Sequence, residues 1–408
     1  MRSESMFKET ALGLRPSNWD EVFLGDVFAE VNTRVKDLSD VEPPVLSMTS
    51  RDGLVLQSDR FKNRVASSDI SNYKVVSRGQ LVYGFPIDEG VIAMLHRYPV
   101  GVVSPAYNVW KPKINFDMMF MDAMLRTPSM VEVYKRFAST SVHRRRNLSK
   151  RDFKRVPVVL PPLPEQHAIA DALCTVQQAK EATEQVIEAT RELKKSLMRY
   201  LFTYGPVPIS EAGKVPLKET GIGSVPEHWA VVGFEGSIMN RKIRVSKVKK
   251  RDYKSKGRFP IIDQGQSSVA GYWDDVKDVY HGPLPVIIFG DHTRLFKFVD
   301  MPFVCGGDGA RVLHPNTDNF DPAFLFFALL NLDIPNRGYN RHFGVLREQK
   351  LPLPPLHEQQ TIASILELVD SKLQAEENKK QAFVALFNTL LLNLMEGKIR
   401  LPEFAGGD

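Results

Sequence analysis

The amino-acid sequence predicts an α+β chain built as an internal repeat: two globular segments joined by two long antiparallel, coiled-coil-like helices in a pseudo-twofold arrangement. Three observations predict it. Leu160-Pro-Pro-Leu-Pro-Glu-Gln166 recurs as Leu353-Pro-Pro-Leu-His-Glu-Gln359, 193 residues later, and the same offset carries Ile169-Ala170 onto Ile362-Ala363, Leu173 onto Leu366 and Leu201 onto Leu394. Chance does not hold a register through about 40 residues, so the chain is a duplication. After each of these proline motifs, apolar residues recur at three- and four-residue steps, the period of a one-sided helix. Before each motif lie short β-like runs punctuated by Gly, Pro and Asp, the pattern of a mixed domain.

The elements follow in order. Residues 1–158 form the first globular segment, with strands at Lys74-Val-Val76, Gln80-Leu-Val-Tyr83 and Gly101-Val-Val103 and a helix over Asp117–Phe137. Residues 159–206 hold the first proline motif and helix. The prolines fix an extended lead-in and forbid a helix before them, while Glu165 puts a negative charge in the first turn, where the helix dipole favours it. The seam runs Ile169, Leu173, Val176, Thr183, Ile187, Thr190, Leu197, Leu201, and Gly205-Pro206 ends it. Residues 207–351 are the second globular segment, with strands at Pro285–Phe289 and Phe303-Val304 and a helix over Pro322–Leu332. Residues 352–408 hold the second proline motif, a seam of Ile362, Leu366, Val369, Leu373, Phe383, Leu390 and Leu394, a stop at Gly397 and Pro402, and a tail.

Each helix is expected to span roughly 35 to 39 residues, about 55 Å at 1.5 Å per residue. A one-sided helix of that length needs a partner, and the other copy is the nearest candidate. A globular segment must return the chain from the end of one helix to the start of the next, which makes the pair antiparallel. Upstream, Arg15-Pro-Ser-Asn-Trp19 matches Val225-Pro-Glu-His-Trp229 at an offset of 210, and Val109–Pro112 matches Val312–Pro315 at 203, so the halves share a frame but differ by insertions inside it.

Composition narrows the function. With 54 Lys and Arg against 48 Asp and Glu the net charge is +6, yet Arg241–Arg258 alone carries nine net positive charges and His143–Arg155 six, so the rest of the chain is acidic. One basic cluster in each half suits a polyanion, because phosphates reward grouped cations through counterion release. Two cysteines, Cys174 and Cys305, make neither a disulfide framework nor a zinc site. No apolar run approaches the roughly 20 residues of a membrane span, and the first residues lack the apolar core of a signal peptide; a cytoplasmic protein without membrane contact is expected. Catalytic signatures are missing too. There is no phosphate-cradling Gly-x-x-x-x-Gly-Lys-Ser/Thr loop. Asp318-Asn-Phe-Asp-Pro322 reads as a turn before a helix, Glu348-Gln-Lys350 is too common a tripeptide to mark a nuclease, and the nine histidines show no metal-ligand spacing. The sequence is that of a binder without chemistry of its own.

The duplicated Leu-Pro-Pro-Leu-x-Glu-Gln motifs, their long helices, and the segments Val82-Tyr-Gly-Phe-Pro-Ile-Asp-Glu-Gly90, Gly101-Val-Val-Ser-Pro-Ala-Tyr107, Gly221–Trp229 and Gly307-Asp-Gly-Ala-Arg311 together resemble the specificity subunit of type I restriction-modification systems along the whole chain. The resemblance implies that each globular segment is a target-recognition domain reading one half of a bipartite site in double-stranded DNA, with the helix pair as a ruler for the unread spacer. It implies as partners two modification (methyltransferase) subunits and the restriction (motor-nuclease) subunits. S-adenosylmethionine, ATP and Mg are then expected on those partners, with no cofactor, metal or catalytic residue on this chain. The alternative is a stand-alone DNA-binding or coiled-coil scaffold protein, which would bind its site without partners. Candidate DNA contacts, chosen because Arg pairs bidentately with guanine and Lys meets phosphate, are Tyr83, Lys111, Arg144, Arg145, Arg146 and Lys150 in the first segment. In the second they are Arg241, Lys242, Arg244, Lys249, Lys250, Arg294, Arg311, Arg337, Tyr339 and Arg341. The proline motifs, common to both halves, are the expected docking surface for a symmetric pair of partners: Pro161, Pro162, Glu165, Gln166, Pro354, Pro355, Glu358 and Gln359.

Overall fold

The structure, a computed structural model, describes residues 6–37, 43–50, 52–63, 65–138, 148–239, 243, 245–307, 309–335, 338 and 341–405. The chain divides into two compact units, residues 1–182 with 379–408, and residues 183–378. Each unit therefore consists of one globular segment and one half of each long helix. The helices span Leu163–Tyr204 and Leu356–Met395, 42 and 40 residues, slightly longer than the sequence predicts because Pro164 and His357 are taken into the first turn.

In the first unit Ile169, Ala170 and Leu173, from the start of the first helix, share a core with Leu394 and Met395 from the end of the second. In the second unit Leu201 and Phe202, from the end of the first helix, share a core with Ile362, Ala363 and Leu366 from the start of the second. Those pairings make the helices antiparallel. Ion pairs flank the seam of the second unit, where Arg191 reaches Glu377 at 2.7 Å and Lys194 reaches Asp370 at 2.6 Å. The first pair is open to solvent on its arginine side and contributes orientation more than stability, while the second is half-buried.

The two units share one plan. Each begins with a β-hairpin, Phe7–Thr10 with Gly13–Pro16 and Leu217–Thr220 with Gly223–Pro226. A following strand pairs antiparallel with the strand that leads into the proline motif: Asp20–Phe23 with Pro157–Leu160, and Ala230–Gly233 with Lys350–Leu353. The first unit then builds a four-stranded antiparallel sheet in the order Phe28–Val31, Asn108–Pro112, Leu81–Tyr83, Ile92–Met94. The second builds a three-stranded sheet, Phe296–Val299, Val286–Gly290, Ala310–Leu313. The registers correspond: Val109 faces Val82 in one and Val312 faces Ile288 in the other. Beyond this shared frame the second unit adds a mixed sheet, Lys247–Val248, Val304–Gly306, Phe259–Ile262, Gly271–Trp273, whose first three strands run parallel.

One predicted helix is two. Asp117–Phe137 breaks into Met118–Leu125 and Pro128–Phe137, because Thr127 caps the second helix through the N–H of Met130 and Pro128 occupies its first turn. In the second unit the corresponding helix is single, Pro322–Leu330. Among the described residues no helix is long and apolar enough to cross a membrane, and no group of three or more His, Cys, Asp or Glu is arranged to hold a metal ion.

Each long helix ends at a glycine with positive φ seated against the hairpin of its unit. A Cβ on Gly397 (φ 65°) would lie 2.4 Å from Cδ of Pro16, and one on Gly205 (φ 79°) 3.3 Å from the Glu358 carboxylate. The left-handed backbone alone costs an alanine about 1–2 kcal/mol. Only at Gly397 does a ring stand in the way as well, adding about 1–3 kcal/mol of overpacking. Chemical denaturation should find Gly397→Ala clearly more destabilising than Gly205→Ala; equal losses would show that the contact with Pro16 carries no strain.

Candidate nucleic-acid interface

The carboxylates and amides of the two proline motifs face inward. Glu165, 1% exposed, accepts from Nε1 of Trp19 at 3.1 Å and from Nε and Nη2 of Arg400, both at 2.8 Å. Glu358 accepts from Nε1 of Trp229 at 2.9 Å and meets Nε2 of His228 at 2.7 Å. The neighbouring glutamines, also buried, close a second set of bonds. Gln166 donates to the Pro161 carbonyl and accepts from the N–H of Asp117, the residue that caps Met118–Leu125. Gln359 donates to the carbonyls of Pro354 and Asn319 and accepts from the N–H of Asp321, which caps Pro322–Leu330. The Glu-Gln pair thus fastens a globular segment to its helix at two points.

That arrangement corrects the docking surface expected from the sequence. Glu165, Gln166, Gln359 and the two inner prolines, Pro161 and Pro354, are buried, and Glu358 is mostly so; only Pro162 and Pro355 are exposed. The physical reason is polar satisfaction. A buried indole N–H and the unpaired N–H groups near a helix start each require an acceptor, and the Glu-Gln pair supplies them. What the repeated helices do expose is leucine: Leu193 is 52% and its repeat equivalent Leu386 43% accessible.

The expected DNA contacts fare unevenly. Tyr83 belongs to the core, fully enclosed, stacked on Phe153 and donating to the carbonyl of Leu148 at 3.2 Å. Burial, with Glu30 and Asp152 adding, pushes its hydroxyl far above the ordinary tyrosine range. Its repeat counterpart is Phe289, also buried. Lys111 is exposed on the strand Asn108–Pro112. Lys150 opens the short helix Lys150–Phe153 and is ion-paired with Glu30. Arg144, Arg145, Arg146, Arg241, Lys242, Arg244, Arg337 and Tyr339 lie outside the described residues. Lys249 and Lys250 are exposed at the start of a 3-10 turn, whereas Lys247 of the same run donates to the carbonyl of Ala310 and Lys254 pairs with Asp274. Arg341 is exposed beside the helix Phe343–Arg347.

Arg311 meets two residues, Asp291 and Phe343, that no sequence motif marks. Asp291, 1% exposed at the end of the central strand Val286–Gly290, links three loops. Its N–H donates to the Gly309 carbonyl, its own carbonyl accepts from the N–H of His342, and its carboxylate accepts from the N–H of Phe343 at 2.8 Å and from Nε of Arg311 at 3.0 Å. Burial alone would raise the Asp291 carboxyl, but the bonds from Phe343, Arg311 and His342 outweigh it and hold the group below the usual carboxylate range. Arg311 lies over the ring of Phe343, 4.2 Å from its centroid, and stays 40% exposed. Arg294, at φ 61°, donates to the carbonyl of Ile334. In the first unit Glu30 pairs with Lys150, and both act on Lys74, which also lies near Arg34. Single carboxylates among cations leave no mark on a count of charge, which is why Asp291 and Glu30 carry no signal at the level of sequence.

Comparison with known proteins accords with this architecture. Residues 235–383 match the family described as the type I restriction modification DNA specificity domain. Along 98% of its length the chain is 24% identical to a protein of Methanocaldococcus jannaschii named as the type I restriction enzyme MjaX specificity subunit, covering 97% of it. The MjaVIII specificity subunit of the same organism is 23% identical over 63% of this chain and 65% of its own. Among solved structures, the S subunit of a type I restriction-modification system from M. genitalium superposes with a TM-score of 0.57 at 16% identity, over 92% of this chain and 96% of that one, a likeness of fold. The duplicated proline motif, the antiparallel helix halves and these matches point one way: residues 235–383 match the type I DNA specificity domain, and along nearly its whole length the chain is similar to specificity subunits of type I restriction-modification systems.

Proposed function

We propose that residues 1–158 and 207–351 each read one part of a bipartite, asymmetric DNA site, that the two long helices set the unread spacer between them, and that the chain docks two modification subunits and, through them, the restriction subunits. As a specificity subunit it supplies recognition and no catalysis. The observation that carries the reading is the combination of one shared frame with two different surfaces. Hairpin, lead-in strand, proline motif and sheet register repeat, while the loops at the sheet ends do not: Arg311 stands where the other unit has Asn108. Two readers on one frame suit a site in two unlike parts. Helices of 42 and 40 residues, about 60 Å each, are long enough to hold readers more than one DNA turn of about 34 Å apart. For docking, the repeated exposed leucines Leu193 and Leu386 offer the same apolar knob twice, as two identical partners require.

The test is methylome sequencing of a host carrying this chain with its modification subunit, beside one lacking it. N6-methyladenine should appear at one bipartite motif with a fixed gap, and replacing residues 1–158 with those of a relative should change one half of the motif only. Assembly of the complex without any new methylated motif would refute the reading and favour a scaffold.

A further inference from the structure

We propose that Arg311 reads a G·C pair in the half-site of the second unit, and that Asp291 is the positioning residue that aims it; this rests on the two-reader function. The guanidinium is held in three ways. Its backbone is the strand Ala310–Leu313, paired along Val286–Gly290. Its Nε donates to Asp291, a carboxylate locked by the N–H of Phe343. Its plane lies over the ring of Phe343 at 4.2 Å.

Of the five N–H donors of arginine, one is engaged by Asp291. The other four, on Nη1 and Nη2, have no acceptor among the described residues, and the side chain is 40% exposed. That end-on pair of amino groups matches O6 and N7 of guanine in the major groove, the bidentate contact arginine makes best. A guanidinium meant only to neutralise a phosphate needs no such fixing, since a flexible cation serves as well. Arg294 does not offer this edge, because Nη1 is spent on the Ile334 carbonyl.

The closing experiment is methylome sequencing of the full chain with its modification subunit, for the wild type and for Arg311→Lys, Arg311→Ala and Asp291→Asn. Lysine keeps the charge but not the fork. Asparagine in place of Asp291 keeps an acceptor for the Phe343 N–H but presents an uncharged amide to Arg311. The expected result is a motif in which one G·C position, in the half assigned to residues 207–351, becomes degenerate in all three variants. Preference there should fall about 10- to 100-fold for Arg311→Ala, with the other half and the spacer unchanged. A wild-type motif at every position in Arg311→Lys overturns the proposal, as does a uniform loss of methylation without relaxed sequence, or a wild-type half-site without guanine on either strand. If the wild type yields no bipartite motif, or exchanging residues 207–351 leaves that half unaltered, it is the two-reader function that fails.

Discussion

Glu165→Ala is expected to unfold or severely weaken the first unit, and no single carboxylate elsewhere in it should matter as much. Its side chain is 2% exposed and accepts three donors, two from Arg400 and one from Trp19, an indole itself 1% exposed. Truncation leaves the Arg400 guanidinium, 18% exposed, and the indole N–H without an acceptor. Removing one member of a buried ion pair costs about 3–5 kcal/mol, because the remaining charge stays desolvated and unpaired. For a unit of this size the melting transition should fall by roughly 10 °C. Glu165→Gln, which can still accept from Trp19 but not balance Arg400, should fall between wild type and alanine, and Arg400→Ala should approach it. In the second unit the equivalent carboxylate, Glu358, faces a histidine instead of an arginine and is 14% exposed. Glu358→Ala should therefore cost less. A melting curve for Glu165→Ala within about 2 °C of wild type would mean that this glutamate does not hold the unit to its helix.

What is legible in the sequence, and what is hidden, follows from which interactions are periodic. The helix seams are readable because burial repeats every three or four residues: Ile169, Leu173, Ile187 and Leu201 are all buried, as are Ile362, Leu366 and Leu394. The middle residues Val369, Leu373 and Phe383 are only half-buried, in keeping with seams that turn polar there. Strands at Lys74–Ser77, Leu81–Tyr83, Val100–Val103 and Val286–Gly290 are readable from β-branched runs. The purpose of the proline motif is not. An acidic residue in a first turn satisfies the helix dipole wherever it points, so the dipole accounts for Glu165 and says nothing of Trp19, 146 residues earlier. The signal lies in the repeat itself: Trp19 and Trp229 recur together with the two glutamates, and a recurring indole needs a recurring acceptor. Tyr83 misleads for the opposite reason. A tyrosine in a segment with a basic cluster suggests a base-stacking surface, but its strand is buried throughout, and the repeat aligns it with Phe289, where no hydroxyl is needed. Loops such as 290–295 and 341–343 have no period at all, and their convergence on Asp291 is a property of the fold alone.

Gln359→Glu, nearly isosteric, is expected to be as damaging in the second unit as a truncation, and in a pH-dependent way that a packing defect would not produce. Gln359 is 0% exposed and works as donor and acceptor together: its amide nitrogen donates to two carbonyls, Pro354 and Asn319, at 2.9 Å each, and its oxygen accepts from the N–H of Asp321 at 2.8 Å. An ionised glutamate can satisfy only the last of these and would press a buried negative charge against two carbonyl oxygens. Such a carboxyl has its pKa raised in the folded state by desolvation and by the carbonyl dipoles. The folded protein then binds a proton that the unfolded chain has released, so the variant loses stability as pH rises above the unfolded value of about 4.3 and continues to lose it up to the folded pKa. Protonated, the side chain recovers one donor and part of the network. At pH 7 the cost should be about 3 kcal/mol or more, shrinking toward pH 5, relative to wild type at each pH. Gln359→Ala, by contrast, should lose about 1–3 kcal/mol at every pH. A flat pH profile for Gln359→Glu would show that water reaches this glutamine, and that it does not seal the joint between the helix Pro322–Leu330 and the long helix beneath it.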